Sequence, residues 1–315
     1  MLVFYLLLLL FFSFLLIKAS DILVVSLRKL SKSTHLSKFA LTSFILALAT
    51  SLPELFVGIA AALGNKPSLA LGNVIGSNIA NLSIVIGGAA FIGGTVNVVG
   101  KFLQKDIFYT FLAGSLPLVL LLDNTLSRVD GLILLVVYFW YVATVLKFRE
   151  KISFLNGIIK RLGKREAEIE LSWFFFGIIL LIFSADMLVR VSYQLADFFH
   201  IPLFLIGLFL VALGTSLPEL SFGIKAIRSH QTAMVFGNLL GSVVANSSLI
   251  LGITALISPI KILYLQEYLL ATIFFIFIFA VFYFFVRSKR RLERWEGGIL
   301  FLLYLLFAMV EFLRR

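Results

Sequence analysis

The chain has 315 residues, of which 61% are hydrophobic and 14% are charged, whereas soluble domains average roughly 45–50% apolar and about 25% charged residues. This composition excludes an ordinary soluble domain, and the absence of cysteine excludes disulfides and thiolate metal sites. The net charge of +11 does not indicate a nucleic-acid-binding protein, because the basic residues fall between apolar runs and form no patch with interleaved aromatic residues. Those apolar runs repeatedly reach membrane-spanning length, which predicts a multi-pass, all-α membrane protein.

Hydropathy predicts ten transmembrane helices. The first 17 residues resemble the core of a signal peptide, but they lack a basic start and the apolar pattern continues to about Leu30. We therefore interpret this segment as the first transmembrane helix. In chain order the predicted spans are residues 2–30, 39–63, 68–95, 103–122, 129–147, 172–196, 202–228, 233–258, 266–286 and 296–313.

The longest polar interruption, residues 148–171, separates two sets of five spans. We therefore expect a first repeat at residues 1–147, a linker at 148–171 and a second repeat at 172–315. Alternate connections, the linker among them, carry 20 lysines and arginines in total, against four in the remaining connections. Because basic loops stay in the cytoplasm, we expect the linker there and both termini outside, in a multi-pass protein of the plasma (cell inner) membrane.

The two sets of spans are related in sequence. Residues 21–87 align with residues 186–252 without a gap, and residues 47–55 match residues 212–220 at eight of nine positions. Because each set contains an odd number of spans, the second set must enter the membrane in the opposite direction. Inverted repeats with interrupted helices near the midplane are a transporter architecture. The predicted fold is therefore ten transmembrane helices in two inverted five-helix repeats, with interrupted helices at an ion site.

The first matched motif, ATSLPEL and GTSLPEL, puts Glu54 and Glu219 inside predicted spans. Pro53 lacks an amide hydrogen and crowds the carbonyl of Ala49, so we expect this carbonyl to lose its helical partner and to be satisfied by an ion. A proline kink alone would explain Pro53, but it would not explain a glutamate whose insertion costs ~3 kcal/mol. Two close carboxylates in a low dielectric cannot both stay ionised without a cation. The pair therefore predicts a divalent cation site.

The second matched motif is GNVIGSNIAN at residues 72–81 and GNLLGSVVAN at residues 237–246. Its polar side chains recur every four residues, which places them on one helix face. These positions are Asn73, Ser77 and Asn81, and then Asn238, Ser242 and Asn246. Small residues form a neighbouring stripe, which we interpret as close helix packing and nothing more. Apolar packing does not need the polar stripe, so that stripe predicts ligands for an ion.

The oxygen atoms of the two motifs indicate which ion fits. Calcium takes six to eight oxygen ligands. The candidates for calcium are the carboxylates of Glu54 and Glu219, the amide oxygens of Asn81 and Asn246, and the backbone carbonyls of Thr50 and Thr215. The serines that could complete flanking sites for a monovalent ion are Ser51, Ser77, Ser216 and Ser242. The motifs contain no sulfur and no histidine, which disfavours soft transition metals.

Together the paired motifs resemble the two alpha-repeats of the calcium/cation antiporter superfamily, and most closely those of its prokaryotic sodium/calcium exchangers. The resemblance implies export of cytoplasmic Ca²⁺ in exchange for external Na⁺ by alternating access, with Glu54 and Glu219 as calcium ligands. It also implies sodium sites lined by the motif threonines and serines and by the alanine three residues before each threonine. The implied sodium-site positions are Ala47, Thr50, Ser51, Ser77, Ala212, Thr215, Ser216 and Ser242.

Two positions depart from the family pattern. Asn246 stands where many prokaryotic members and the potassium-dependent branch have aspartate, which argues against potassium dependence and leaves the stoichiometry open. Val243 stands where the first motif has Asn78. Two negative charges still remain in the predicted site, enough to balance one calcium ion.

Two other functions are alternatives to sodium/calcium antiport. A proton/calcium exchanger is the nearest alternative, because paired glutamates can also bind protons, although proton-coupled relatives usually carry a different sequence before the glutamate. An intramembrane enzyme that uses the glutamates as acid and base has no supporting nucleophile–base pair in the sequence. We therefore expect a transporter and not an enzyme. Its substrates would be Ca²⁺ and Na⁺, in contact with membrane lipid and without a cofactor, nucleic acid or obligate protein partner.

Overall fold

The computed structural model describes residues 2–31, 47–97, 101–146, 164–228, 232–289 and 291–314. Most of the described chain is helical. The helices are α1 (Leu2–Ser31), α2 (Leu52–Leu63), α3 (Pro67–Ala80), α4 (Ile86–Gly93), α5 (Lys101–Leu120), α6 (Arg128–Leu146), α7 (Lys164–Phe199), α8 (Leu203–Leu205), α9 (Ala212–Thr215), α10 (Leu217–Arg228), α11 (Thr232–Val244), α12 (Leu251–Ile257), α13 (Leu265–Lys289) and α14 (Arg294–Leu313). The strands are β1 (Val96–Asn97), β2 (Thr125–Leu126), β3 (Ile260–Lys261) and β4 (Arg291–Leu292).

Within the described ranges, seven helical segments are long and apolar enough to cross a membrane. They are Val3–Leu23, Pro67–Gly93, Ile169–Phe199, Leu203–Arg228, Met234–Ile257, Leu265–Ser288 and Arg294–Leu313. Each coincides with a predicted span, which confirms a multi-pass helical membrane protein. Of the other predicted spans, 103–122 and 129–147 coincide with α5 and α6, and 39–63 is described only from residue 47 onwards.

The N-terminal half of the chain (up to residue 146) and the C-terminal half (from residue 164) each contain a long helix interrupted by a π turn. The first π turn, Asn81–Val85, joins α3 to α4, and the second, Ala245–Ile250, joins α11 to α12. A third, Ile206–Val211, joins α8 to α9. π turns occur mostly as single-turn bulges inside α-helices, frequently at functional sites. Here the first two contain the asparagines that close the second motif, a feature that sequence periodicity did not predict.

Glycines allow α3 to cross the π turn at Ile206–Val211 with its backbone almost in contact. A Cβ atom added at Gly72 would lie 2.0 Å from the carbonyl oxygen of Phe204, and one added at Gly76 would lie 2.1 Å from that of Leu208. Side chains larger than hydrogen therefore cannot be placed at this crossing without moving a helix. This confirms the packing role predicted for the small-residue stripe, and it brings the second motif of one half against the first motif of the other.

α1 and α7 lie side by side and share an apolar core that includes Leu16, Ala19 and Leu188. α7 begins at Lys164, so residues 164–171, which we expected in the polar linker, are the first turns of this helix. The rest of the predicted linker, up to residue 163, lies outside the described residues.

Two short antiparallel strand pairs join connections of the N-terminal half to connections of the C-terminal half. β1 pairs with β4, with Val96 opposite Leu292. β2 pairs with β3, with Leu126 opposite Ile260. All four of these side chains are fully buried, and each strand pair links one loop of the N-terminal half to one loop of the C-terminal half.

Candidate ion-binding site

Each of the two first motifs breaks its helix at the serine. Ser51 separates the helical residues 47–50 from α2 with φ −85° and ψ 5°, and Ser216 separates α9 from α10 with φ −87° and ψ 0°. The proline two residues further on has no amide hydrogen, which explains why the helical ladder cannot continue through it. Glu54 and Glu219 consequently lie in the first turn of a new helix, where backbone N–H groups and the helix dipole favour a negative charge.

The carbonyl of Ala49 loses its helical partner because Pro53 has no amide hydrogen, and it accepts a hydrogen bond from another helix. Ser20 Oγ on α1 donates a hydrogen bond of 3.2 Å to Ala49 O. Because a carbonyl oxygen has two lone pairs, this bond leaves one acceptor position for the ion that Pro53 led us to expect. The sequence held no signal for the contact, because Ser20 lies 29 residues away on another helix.

The structure buries every side chain predicted for the site. The twelve residues are Ala47, Thr50, Ser51, Glu54, Ser77, Asn81, Ala212, Thr215, Ser216, Glu219, Ser242 and Asn246. The two carboxylates are among the most enclosed, with Glu54 at 0% and Glu219 at 1% exposure. Burial of this kind is costly for a charged group unless a partner compensates for it.

Hydrogen bonds connect the first motif of each half to the second motif of the other. Thr50 Oγ1 lies 3.1 Å from Asn238 Oδ1, and Thr215 Oγ1 lies 3.2 Å from Asn73 Oδ1. Each threonine hydroxyl is also within 3.3 Å of the carbonyl oxygen three residues earlier, and its single proton can serve only one acceptor at a time. Sequence reasoning had placed Asn73 and Asn238 in the polar stripe without assigning them a partner.

Each of the two carboxylates lies beside one hydroxyl from its own half and one from the other half. The hydroxyls of Ser77 and Thr215 lie beside the Glu54 carboxylate, which is also close enough to Glu219 for the two to interact electrostatically. Those of Thr50 and Ser242 lie beside the Glu219 carboxylate. None of these approaches has the full geometry of a hydrogen bond, so all four carboxylate oxygens are buried without a hydrogen-bond partner among the described residues.

Amide and hydroxyl oxygens around the carboxylates are also without partners in the described part of the chain. These buried atoms are Oδ1 of Asn246, Oδ1 and Nδ2 of Asn81, and the Oγ atoms of Ser51, Ser216 and Ser242. Asn246 Nδ2, by contrast, donates to Asn78 Oδ1 at 3.2 Å. Unpartnered buried oxygens are uncommon in proteins, and a set of carboxylate, amide and hydroxyl oxygens is the donor set that hard cations select. The residues present therefore fit a hard cation.

The chain matches one protein family along nearly its whole length. Residues 4–147 and 169–313 match the family described as Sodium/calcium exchanger protein. The sodium/calcium exchanger MaX1 of Methanosarcina acetivorans is 27% identical over 335 residues, a match that covers 94% of the chain and 95% of MaX1.

Solved structures of exchangers share the fold. A structure of the sodium-calcium exchanger NCX_Mj, soaked with Na⁺ and Sr²⁺, superposes with a TM-score of 0.66 at 26% identity, covering 98% of the chain and 99% of NCX_Mj. A structure of the H⁺/Ca²⁺ exchanger CAX superposes with a TM-score of 0.76, covering 97% of the chain and 82% of CAX. Its 20% identity restricts that likeness to the fold.

Proposed function

The chain belongs to the sodium/calcium exchanger protein family, and from this membership we propose that it is a sodium/calcium antiporter that exports Ca²⁺ in exchange for Na⁺ by alternating access. The observation that carries the proposal is the pair of buried carboxylates, Glu54 and Glu219, which come from matched motifs in opposite halves and have no hydrogen-bond partner in the described chain. One calcium ion balances both charges. The family is a family of transporters, so no catalytic reaction is proposed.

The proposed calcium ligands are the Glu54 and Glu219 carboxylates, the Oδ1 atoms of Asn81 and Asn246, and the backbone carbonyls of Thr50 and Thr215. The proposed sodium sites flank them and use Ala47, Ala212, Ser51, Ser216, Ser77 and Ser242 with the two threonines. The shared carboxylates make calcium and sodium occupancy mutually exclusive. Exchange then follows when alternating access exposes the same oxygens first to one side of the membrane and then to the other.

We propose ten transmembrane helices in two inverted repeats, at residues 1–147 and 172–315, joined by a cytoplasmic linker at 148–171 in the plasma membrane, with both termini outside. The strand pairs support this topology. In the ten-helix scheme β1 and β4 both fall in cytoplasmic connections, and β2 and β3 both fall in outside connections, as two strands must if they are to pair. The division of the family match between residues 147 and 169 supports the position of the linker.

The counter-ion is tested by calcium flux in proteoliposomes with Na⁺, K⁺ or pH gradients imposed in turn. We expect an outward Na⁺ gradient to drive Ca²⁺ uptake, and K⁺ to have no effect of its own. Calcium uptake that follows a pH gradient and ignores Na⁺ would replace this proposal with proton/calcium exchange, the function that the name of CAX describes.

The site is tested by Glu54→Gln and Glu219→Gln, each of which keeps the side-chain shape and removes one charge. Both variants should lose Na⁺-dependent Ca²⁺ uptake. Glu311→Gln is the matched control, since Glu311 is a buried carboxylate of α14 at 3% exposure that the proposal does not use. Calcium transport retained by either site variant would refute the site assignment.

A further inference from the structure

A hydrogen-bond relay through Asn78 connects the N-terminal half to the second π turn. Asn78 Nδ2 donates to Ser247 Oγ at 2.7 Å, and Asn246 Nδ2 donates to Asn78 Oδ1 at 3.2 Å. All three side chains are buried, with exposures of 1% to 3%. Ser247 and Asn246 are neighbours on the π turn Ala245–Ile250, so one side chain of α3 holds two consecutive side chains of the opposite half.

This relay determines which end of the Asn246 amide is free. An asparagine amide carries an acceptor oxygen and a donor nitrogen, and only the oxygen can ligate a cation. Because Asn78 binds the nitrogen, Asn246 Oδ1 is the atom left buried and unpartnered among the described residues. Ser247 in turn accepts from Asn78 Nδ2, and Asn78 Oδ1 is the atom that faces Asn246. The relay therefore presents an oxygen, and not a nitrogen, at this position.

The opposite half has no such relay. The residues that correspond to Asn78 and Ser247 under the 165-residue offset are Val243 and Leu82, both apolar and both fully buried. Asn81, the counterpart of Asn246, has neither amide atom hydrogen-bonded within the described chain. The two asparagines match in sequence, but their surroundings differ.

We propose that Asn78 is a positioning residue for the calcium site, which orients the Asn246 amide so that Oδ1 faces the ion. Asn246 is thereby a preorganised ligand, whereas no side chain among the described residues orients the Asn81 amide by a hydrogen bond. This inference rests on the proposed function. Removing a partner that orients a metal ligand lowers the affinity for the metal, because part of the binding free energy is then used to order the ligand.

The first test is Asn78→Val, which introduces the residue that the other half carries. In proteoliposomes the KM for Ca²⁺ should rise about 10-fold, the lower end of the effect of losing such a partner, while the Na⁺ concentration for half-maximal exchange stays unchanged. Ser247→Ala is a milder second variant at the far end of the relay and should shift the KM for Ca²⁺ in the same direction. Thr110→Val is the control and should not change the KM, because it removes from α5 a buried hydroxyl with no hydrogen-bond partner among the described residues.

The second test repeats Asn78→Val in an Asn246→Asp background. A carboxylate presents an oxygen whichever way it is turned, so the calcium-specific loss should largely disappear there. A purely structural role for Asn78 predicts the same loss in both backgrounds, and that result would overturn the inference. So would an unchanged KM for Ca²⁺ in both Asn78→Val and Ser247→Ala. Wild type and Glu219→Gln separate the levels: wild type without Na⁺-dependent Ca²⁺ uptake refutes the proposed function, calcium transport retained by Glu219→Gln refutes the proposed site, and an active wild type with an inactive Glu219→Gln leaves only the role of Asn78 in question.

Discussion

Ser20 Oγ donates to the carbonyl oxygen of Ala49 at 3.2 Å, and this bond attaches α1 to the interrupted helix that carries Glu54. Ser13 lies seven residues earlier, two turns away on the same face of α1. It approaches the other interruption, since a Cβ atom added at Gly214 would lie 3.0 Å from Ser13 Oγ. One face of α1 thus contacts the helix breaks of both halves, but only Ser20 makes a hydrogen bond there.

Ser20→Ala should destabilise the protein because it leaves the Ala49 carbonyl buried without its donor. The expected loss is about 1–3 kcal/mol, the usual cost of an unsatisfied buried polar group, and it can be measured by denaturation of the detergent-solubilised protein. Ser13→Ala is the matched control on the same helix. Ser13 Oγ is buried without a partner in the described structure, so its removal should be neutral or stabilising. Equal losses in the two variants would contradict this interpretation.

Gly76→Ala should weaken both stability and transport. The added methyl would lie 2.1 Å from Leu208 O and 2.7 Å from the Ala212 Cβ atom, so α9 must move away from α3 and Thr215 must leave Asn73. Overpacking of this kind typically costs about 1–3 kcal/mol. We expect a lower denaturation midpoint and a higher KM for Ca²⁺.

Gly88→Ala, further along the same continuous helix, is the control for that substitution. The nearest atom to its new methyl is Leu220 Cδ1 at 3.5 Å, an ordinary contact. Replacing a helical glycine by alanine without a clash stabilises by roughly 0.5–1 kcal/mol. The two variants should therefore change the denaturation midpoint in opposite directions. A drop of similar size in both would contradict the interpretation that close packing at Gly76 requires glycine.

The sequence was sufficient to predict the membrane class and the burial of the candidate site residues, because both depend on local signals. A span is a run of about 20 apolar residues, and a glutamate within such a run is conspicuous on energetic grounds alone. Pro53 is also a local signal: it predicted a disturbed helix near Ala49, and the structure has the break at Ser51. All twelve predicted site residues are indeed buried.

What the sequence could not predict depends on contacts between distant residues. Thr50 bonds Asn238, 188 residues away, and no periodicity indicates that pairing. Sequence symmetry also made Asn81 and Asn246 equivalent, but in the described structure Asn246 donates to Asn78 whereas the Asn81 amide has no partner. The π turns were missed because a single extra residue in a turn leaves the apolar pattern on both sides nearly unchanged.

Calcium should stabilise the wild-type protein, and Glu54→Gln should abolish that effect. A ligand that binds only the folded state stabilises it by about 2.7 kcal/mol at 100 times its Kd, whereas the variant lacks one of the two charges. In the presence of a chelator the Glu54→Gln variant should be more stable than the wild type, because glutamine is less costly to bury than an unpaired carboxylate. Thermal denaturation with and without Ca²⁺ measures both effects. A wild-type midpoint that ignores calcium would contradict a calcium site at these glutamates.

Strand pairing makes a prediction about which loops lie on the same side of the membrane. The chain contains no cysteine, so one introduced cysteine gives an unambiguous labelling site. Arg291 in β4 and Lys261 in β3 are both exposed, and the ten-helix topology assigns them to opposite sides. In intact cells a membrane-impermeant maleimide should label Lys261→Cys and not Arg291→Cys.

Everted vesicles should give the reverse pattern, which controls for a cysteine that is merely unreactive.

The strand register adds an independent check, since Thr125 lies opposite Lys261. A Thr125→Cys, Lys261→Cys double variant should therefore cross-link with a short bifunctional reagent, whereas Thr125→Cys combined with Arg291→Cys should not. If Arg291→Cys and Lys261→Cys were labelled from the same side, an odd number of spans could not separate β3 from β4. The long apolar helix α13 lies between these two strands. That outcome would mean that α13 does not cross the membrane, and it would refute the inverted arrangement of two five-helix repeats.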